Sequence, residues 1–138
     1  GLAGVAAVGV AASAVLGETT NQARRDLDAA MAVLTAPDVQ AVSQPITGGG
    51  TGSLVVSRGR GRLVFTASGL PSPPSSRSYE LWLMGPAGVR PAGLLRSGVP
   101  TLASPESGDD RVGLTVEPAG GSQQPTTQPI MLADLPAA

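Results

Sequence analysis

The sequence predicts an all-β unit, an antiparallel β-sandwich of about seven short strands, preceded by an apolar segment and an amphipathic helix. Three observations lead there. Apolar and β-branched residues recur with period two in short runs beyond Pro37. Turn residues fall between those runs at close spacing, as 19 Gly and 13 Pro in 138 residues require. The only stretch with helical periodicity lies before Pro37.

The strands are expected at residues 39–46, 53–57, 62–68, 79–84, 92–95, 111–117 and 130–134. Connectors rich in Gly, Pro and Ser lie between them: 48–50, 59–61, 71–78, 85–91, 98–110 and 118–129. Seven short strands with frequent turns suit a sandwich or barrel. In 62–68, Leu63, Phe65 and Ala67 share one face, and Val64 and Thr66 the other. In 79–84, Tyr79, Leu81 and Leu83 face the core. Glu80, Trp82 and Met84 then point outward, so something has to cover Trp82, either the helix or a neighbouring loop. Phe65, Tyr79 and Trp82 are the only aromatics, which leaves a core of mostly Val, Leu and Ala.

Ahead of the strands, residues 18–37 read as an amphipathic helix. Ala23, Leu27, Ala30, Met31 and Leu34 recur on one face, with Arg24, Arg25, Asp26 and Asp28 elsewhere, and Pro37 stops the run. Residues 1–17 hold no charge. They start at the first residue, without an initiator Met or a basic leader. We expect them to be a transmembrane helix truncated at its start. Two other readings stay open: a signal-peptide apolar region, since Ala12-Ser13-Ala14 resembles a cleavage site, and a buried soluble helix. The first two agree that the β-unit, residues 38–138, lies outside the cytoplasm.

Composition removes much chemistry. There is no Cys and no His, so thiol nucleophiles, disulfides and the usual zinc ligands are gone. There is no Lys either, and nothing to activate a Ser or Thr. An enzyme is not expected, and no catalytic, cofactor-binding or metal-ligating residue is assigned. Net charge is -1, so no broad field draws nucleic acid or anionic lipid.

Four local patterns look like functional motifs at first sight. Gly48-Gly49-Gly50-Thr51-Gly52-Ser53 lacks the Lys and following helix of a phosphate loop and reads as a hairpin connector. Ser57-Arg58-Gly59-Arg60-Gly61-Arg62 is too short and too structured for a tract that binds single-stranded nucleic acid, and its arginines are expected in solvent. Asp109-Asp110 lacks the ligand spacing of a calcium loop. Glu80 and Glu117 can meet across the sheet, but pairing with Arg62, Arg96 or Arg111 on the outer face is the simpler expectation.

Two stretches together carry a resemblance. One is Tyr79-Glu80-Leu81-Trp82-Leu83, followed by Gly88 and by Pro91-Ala92-Gly93-Leu94-Leu95. The other is Val112-Gly113-Leu114-Thr115-Val116-Glu117-Pro118-Ala119-Gly120-Gly121-Ser122, with Pro125-Thr126 and Pro129-Ile130 behind it. Over residues 39–135 these resemble the C-terminal domain of the anti-sigma-K factor family of membrane-bound bacterial regulators. The resemblance implies a single-pass cell-membrane protein with the β-domain on the extracytoplasmic side. A cytoplasmic region would bind an extracytoplasmic-function sigma factor, and site-1 and site-2 proteases would release it. That cytoplasmic region is absent from this sequence, so no sigma contact can be named. The stretch between Leu95 and Arg111 looks short for the family, so one strand there is expected to be reduced or lost. The Pro-Ala-Gly-Gly-Ser turn reads as structural. The competing reading is an exported β-sandwich that binds a cell-envelope ligand or protein.

Overall fold

Ladder pairing of the period-two runs generates two four-stranded antiparallel sheets in the computed structural model, which describes residues 14–137. The strands are β1 (Gln40–Pro45), β2 (Thr51–Ser57), β3 (Arg62–Ser68), β4 (Arg77–Gly85), β5 (Gly88–Leu94), β6 (Thr101–Ala103), β7 (Arg111–Pro118) and β8 (Met131–Asp134). Their order is β1-β2-β3-β6 in one sheet and β5-β4-β7-β8 in the other.

Inward-facing residues of both sheets form one apolar core. Leu54, Val56, Leu63 and Phe65 come from the first sheet, and Leu81, Leu83, Val112, Leu114, Met131 and Ala133 from the second. Period-two alternation places them there, and Leu81 lies opposite Leu114 across the β4–β7 ladder. At one side the edge strands β1 and β8 approach, with the Thr47 N–H donating to the Ile130 carbonyl at 2.8 Å. At the other side β5 and β6 approach.

Each expected strand is present, with ends shifted by up to four residues. The eighth, β6, lies inside the expected connector 98–110. It is the reduced strand, three residues long, paired through Phe65↔Thr101 to Leu63↔Ala103. The Gly85 to Pro91 connector shrinks to Pro86-Ala87, because β5 starts at Gly88.

Before the sheets runs α1 (Ala14–Leu34), continuous through Gly17. It packs on the outer face of the first sheet, against β2, β3 and β6. The face that packs is not the one the periodicity indicated. Val33 and Ala36 are buried, whereas Leu27, Met31 and Leu34 are 39%, 48% and 51% exposed. Ala23 and Ala30 of the expected stripe are half-buried, so the burial is shifted in part rather than moved to an opposite face. Val33, Ala36 and the outward-facing Val64 of β3 are all buried, and the helix packs against β3. The expected transmembrane segment 1–17 falls mostly outside the described residues, since 1–13 are not described. Among the described residues no helix is long and apolar enough to cross a membrane.

Candidate functional site

The outer face of the second sheet carries what the sequence left without a partner. On β4, Glu80 and Trp82 point away from the core, and on β7 Thr115 and Glu117 do so, yet all four are buried. Their cover is the long β7–β8 connector, residues 119–130, folded back over its own sheet. The helix takes no part, because it lies on the other sheet.

A chain of hydrogen bonds ties the loop down. The Trp82 indole N–H donates to Thr115 Oγ1 at 2.8 Å, and Thr115 Oγ1 donates to Glu117 Oε2 at 2.6 Å. Glu117 Oε1 accepts from the Ser122 hydroxyl at 2.9 Å and the Thr126 hydroxyl at 2.5 Å. The Thr126 N–H adds bonds of 3.2 and 3.1 Å to the two oxygens. Glu80 Oε1 accepts from the Ser122 N–H at 2.8 Å. Burial alone would raise the Glu117 carboxyl, but the donors Thr115, Thr126 and Ser122 outweigh it and hold its pKa at about 2. Glu80 goes the other way. Burial pushes it up, the Ser122 N–H only partly offsets this, and the neighbouring Glu117 charge adds to the rise.

This corrects the expectation of outer-face ion pairs. Neither glutamate meets Arg62, Arg96 or Arg111, and Arg111 instead lies 4.0 Å from Asp134. The carboxylates do meet across the sheet, but every close donor to them is a hydroxyl, an indole-linked hydroxyl or a backbone N–H. With its oxygens occupied by donors and its pKa at about 2, Glu117 is a weak base near neutral pH. The pair serves as a clasp.

The loop conformation depends on Gly121. Its φ is +82°, and a Cβ there would sit 3.1 Å from Leu94 Cδ2 and 3.3 Å from both Glu80 oxygens. Pro118 closes the β7 ladder opposite Arg77. Trp82, Thr115, Glu117, Gly121, Ser122 and Thr126 therefore meet at one place, so the two separated stretches of sequence form a single structural unit.

Two further clamps were missed by sequence reasoning. Asp109, half of the acidic pair in the connector 98–110, is 4% exposed. Arg90 grips it with both Nη atoms, at 2.9 and 2.6 Å, and the Glu106 N–H donates to it at 2.7 Å. The Arg90 hydrogen bond, against the opposing effect of burial, sets its pKa below the usual carboxylate range. A carboxylate so occupied is not a calcium ligand, and no group of three metal-ligating side chains occurs among the described residues. Arg58 is half-buried rather than solvated. It donates to the carbonyls of Pro136, Glu106 and Asp109 at 2.9, 3.1 and 2.6 Å, closing the β6–β7 connector onto the C-terminal segment. No local sequence signal distinguishes Arg58 from Arg60.

The third feature is the seat of α1. Where the helix ends, Asp38 accepts from the Ser57 hydroxyl at 2.6 Å and the Gly59 N–H at 2.7 Å. The Ser57 bond, followed by the Gly59 bond, lowers its pKa. The helix is thus fixed to the β2–β3 turn at its C-terminal end, while Arg24 to Asp28 remain exposed.

Comparison with known proteins gives this architecture relatives. Residues 2–130 match the family model described as anti-sigma-K factor rskA, C-terminal. An uncharacterized protein in the phr 5' region of Streptomyces griseus is 38% identical over 133 residues, covering 88% of this chain and 52% of the relative. The anti-sigma-K factor RskA of Mycolicibacterium vanbaalenii is 37% identical over 109 residues, 75% of this chain and 45% of that one. The RskA of Mycobacterium tuberculosis is 38% identical over 110 residues, 75% and 46% respectively. No solved structure matches. The chain spans about half the length of the curated relatives it matches. On the match to its C-terminal model, the chain belongs to the anti-sigma-K factor family.

Proposed function

We propose that this chain is the membrane and extracytoplasmic part of an anti-sigma factor that restrains an extracytoplasmic-function sigma factor until proteolysis releases it. The observation that carries the reading is the match to the family's C-terminal model over residues 2–130. In this reading residues 1–17 cross the membrane, the sigma contacts belong to a cytoplasmic region, and the two-sheet unit controls protease access to α1. A protease needs extended chain, so a folded and docked helix must open before it can be cut. Support for the last point comes from the helix seat, where Val33, Ala36 and Asp38 attach α1 to the first sheet.

The test follows membrane-bound fragments by immunoblot, with the full-length protein expressed in its native host. Val33→Ala and Asp38→Ala loosen the seat and should speed first-site cleavage within residues 18–37. Cleavage at the wild-type rate in both variants, or a cut inside the β-unit, would show the gating idea to be wrong. Sigma-dependent transcription that is unchanged when the full-length gene is deleted would sink the anti-sigma reading itself.

A further inference from the structure

A cavity of about 370 Å³ opens at one end of the two sheets, within the range of about 300–1,000 Å³ usual for small-molecule sites. Phe65, Leu70, Tyr79, Leu95 and Val99 supply apolar lining, and Arg96 is the single ionisable cation on its wall. No acidic side chain lines it. Arg96 is exposed and forms no ion pair among the described residues. Val99 is 49% exposed, so apolar surface stands uncovered beside an uncompensated charge.

The walls are held in place. Tyr79 lies between them: its hydroxyl donates to the Pro71 carbonyl at 2.7 Å, and its own carbonyl accepts from the Leu95 N–H at 2.9 Å. The first bond fixes the β3–β4 connector, whose prolines stiffen it, and the second fixes the β5–β6 connector. A bridge between Arg96 and Val99 tightens that second wall into a turn. Such a cavity exists before any ligand arrives, which lowers the ordering cost of binding.

We propose that this cavity is a binding site for a small monocarboxylate with an apolar body, the carboxylate on Arg96 and the body on Tyr79, Leu95 and Val99. One planar guanidinium matches one carboxylate in a bidentate pair. A doubly charged phosphate would bring more charge than a single arginine balances, and a cation would meet like charge. The assignment rests on the cavity's geometry and stands apart from the anti-sigma reading.

The test uses the full 138-residue chain, with Leu and Val methyl groups followed by NMR. The probes are 3-phenylpropanoate and its neutral isostere 3-phenylpropanamide. Saturable shifts at Leu70, Leu95 and Val99 are expected, with the acid binding roughly tenfold tighter, as one hydrogen-bonded charge contributes at a half-open site. Arg96→Gln should bring the acid down to the affinity of the amide while leaving the rest of the spectrum in place. Val99→Ser should weaken both probes alike. Absence of saturable shifts, equal affinity for acid and amide, or acid binding that survives Arg96→Gln overturns the proposal.

Discussion

Replacing Thr115 with Val removes one oxygen from the middle of the clasp and leaves the shape nearly unchanged. Thr115 is fully buried, and its hydroxyl both accepts from Trp82 and donates to Glu117. Two costs follow. The indole N–H is left buried without a partner, about 1–3 kcal/mol, and the carboxylate loses a donor, about 1.5–3 kcal/mol. The added methyl recovers a little, so Thr115→Val should cost about 3–5 kcal/mol. A unit of this size has only about 5–15 kcal/mol in all. Thr115→Ser keeps the oxygen and loses one methyl, which should cost about 1 kcal/mol. Urea unfolding of residues 18–138, followed by far-UV circular dichroism, measures both. Pairing with Trp82→Phe completes a double-mutant cycle. Without an indole N–H to strand, the double variant should lose about 1–2 kcal/mol less than the sum of the singles. If Thr115→Val costs no more than Thr115→Ser, or the cycle is additive, the clasp does not hold the loop as described.

Three more outcomes follow from the same contacts. Glu117 titrates at about 2 in the fold, below its ordinary value of 4.5, so its contribution is complete above about pH 5 and is lost as pH falls toward 2. Glu80, raised by burial, has the opposite sign and loses its contribution as pH rises through its shifted value. The urea midpoint should therefore drop between pH 5 and 2.5, and Glu117→Gln should flatten the drop. Gly121→Ala should destabilise by about 1–3 kcal/mol through its positive φ, while Gly120→Ala, with open space around it, should be near neutral in the same assay. Asp109→Asn breaks the two-pronged Arg90 contact and should cost about 2–3 kcal/mol, whereas Asp110→Asn on the exposed neighbour should cost under about 0.5 kcal/mol by thermal melting.

Periodicity located the strands because alternation is forced wherever one face meets a core. Leu63, Phe65, Leu81, Leu83 and Leu114 carry that signal, and the core is built on them. The short strand β6 escaped because three residues, Thr101 to Ala103, are too few to show a period. The helix face was misread for a different reason. Composition marks which side of a helix is most apolar, but burial falls on small residues near its C-terminal end, Val33 in α1 and Ala36 just beyond it, while Leu27, Met31 and Leu34 stay exposed. The clasp was half legible. An outward Trp82 demanded cover, and the connector 118–129 was long enough to supply it. Its Ser122 and Thr126 hydroxyls were the available signal that Glu117 had local donors and needed no arginine. Asp109 and Arg90 lie 19 residues apart, and nothing in their neighbours announces the pair.

The two outer faces are covered by straps of unequal strength, and this bears on how the proposed gate would work. The loop over the second sheet belongs to the hairpin it covers and is held at Glu117 by the Ser122 and Thr126 hydroxyls and the Thr126 N–H. The helix over the first sheet is held by Val33, by the methyl of Ala36 and by the Asp38 hydrogen bonds. Burying Val33 contributes about 1.5–2 kcal/mol and a methyl about 0.8 kcal/mol. Each exposed hydrogen bond adds about 0.5 kcal/mol or more. Undocking α1 then costs about 3–5 kcal/mol, well below complete unfolding, and the open helix is present at roughly one molecule in two hundred to one in several thousand. Cleavage through that state depends on the seat and not on the core. Leu81→Ala or Leu114→Ala, each costing about 2–5 kcal/mol, should accelerate cutting only once the remaining global stability falls to the undocking cost. Val33→Ala should accelerate it at once, by a factor set by the seat energy it removes. Equal acceleration by seat and core variants of very different stability would mean that the protease waits for the whole unit to unfold.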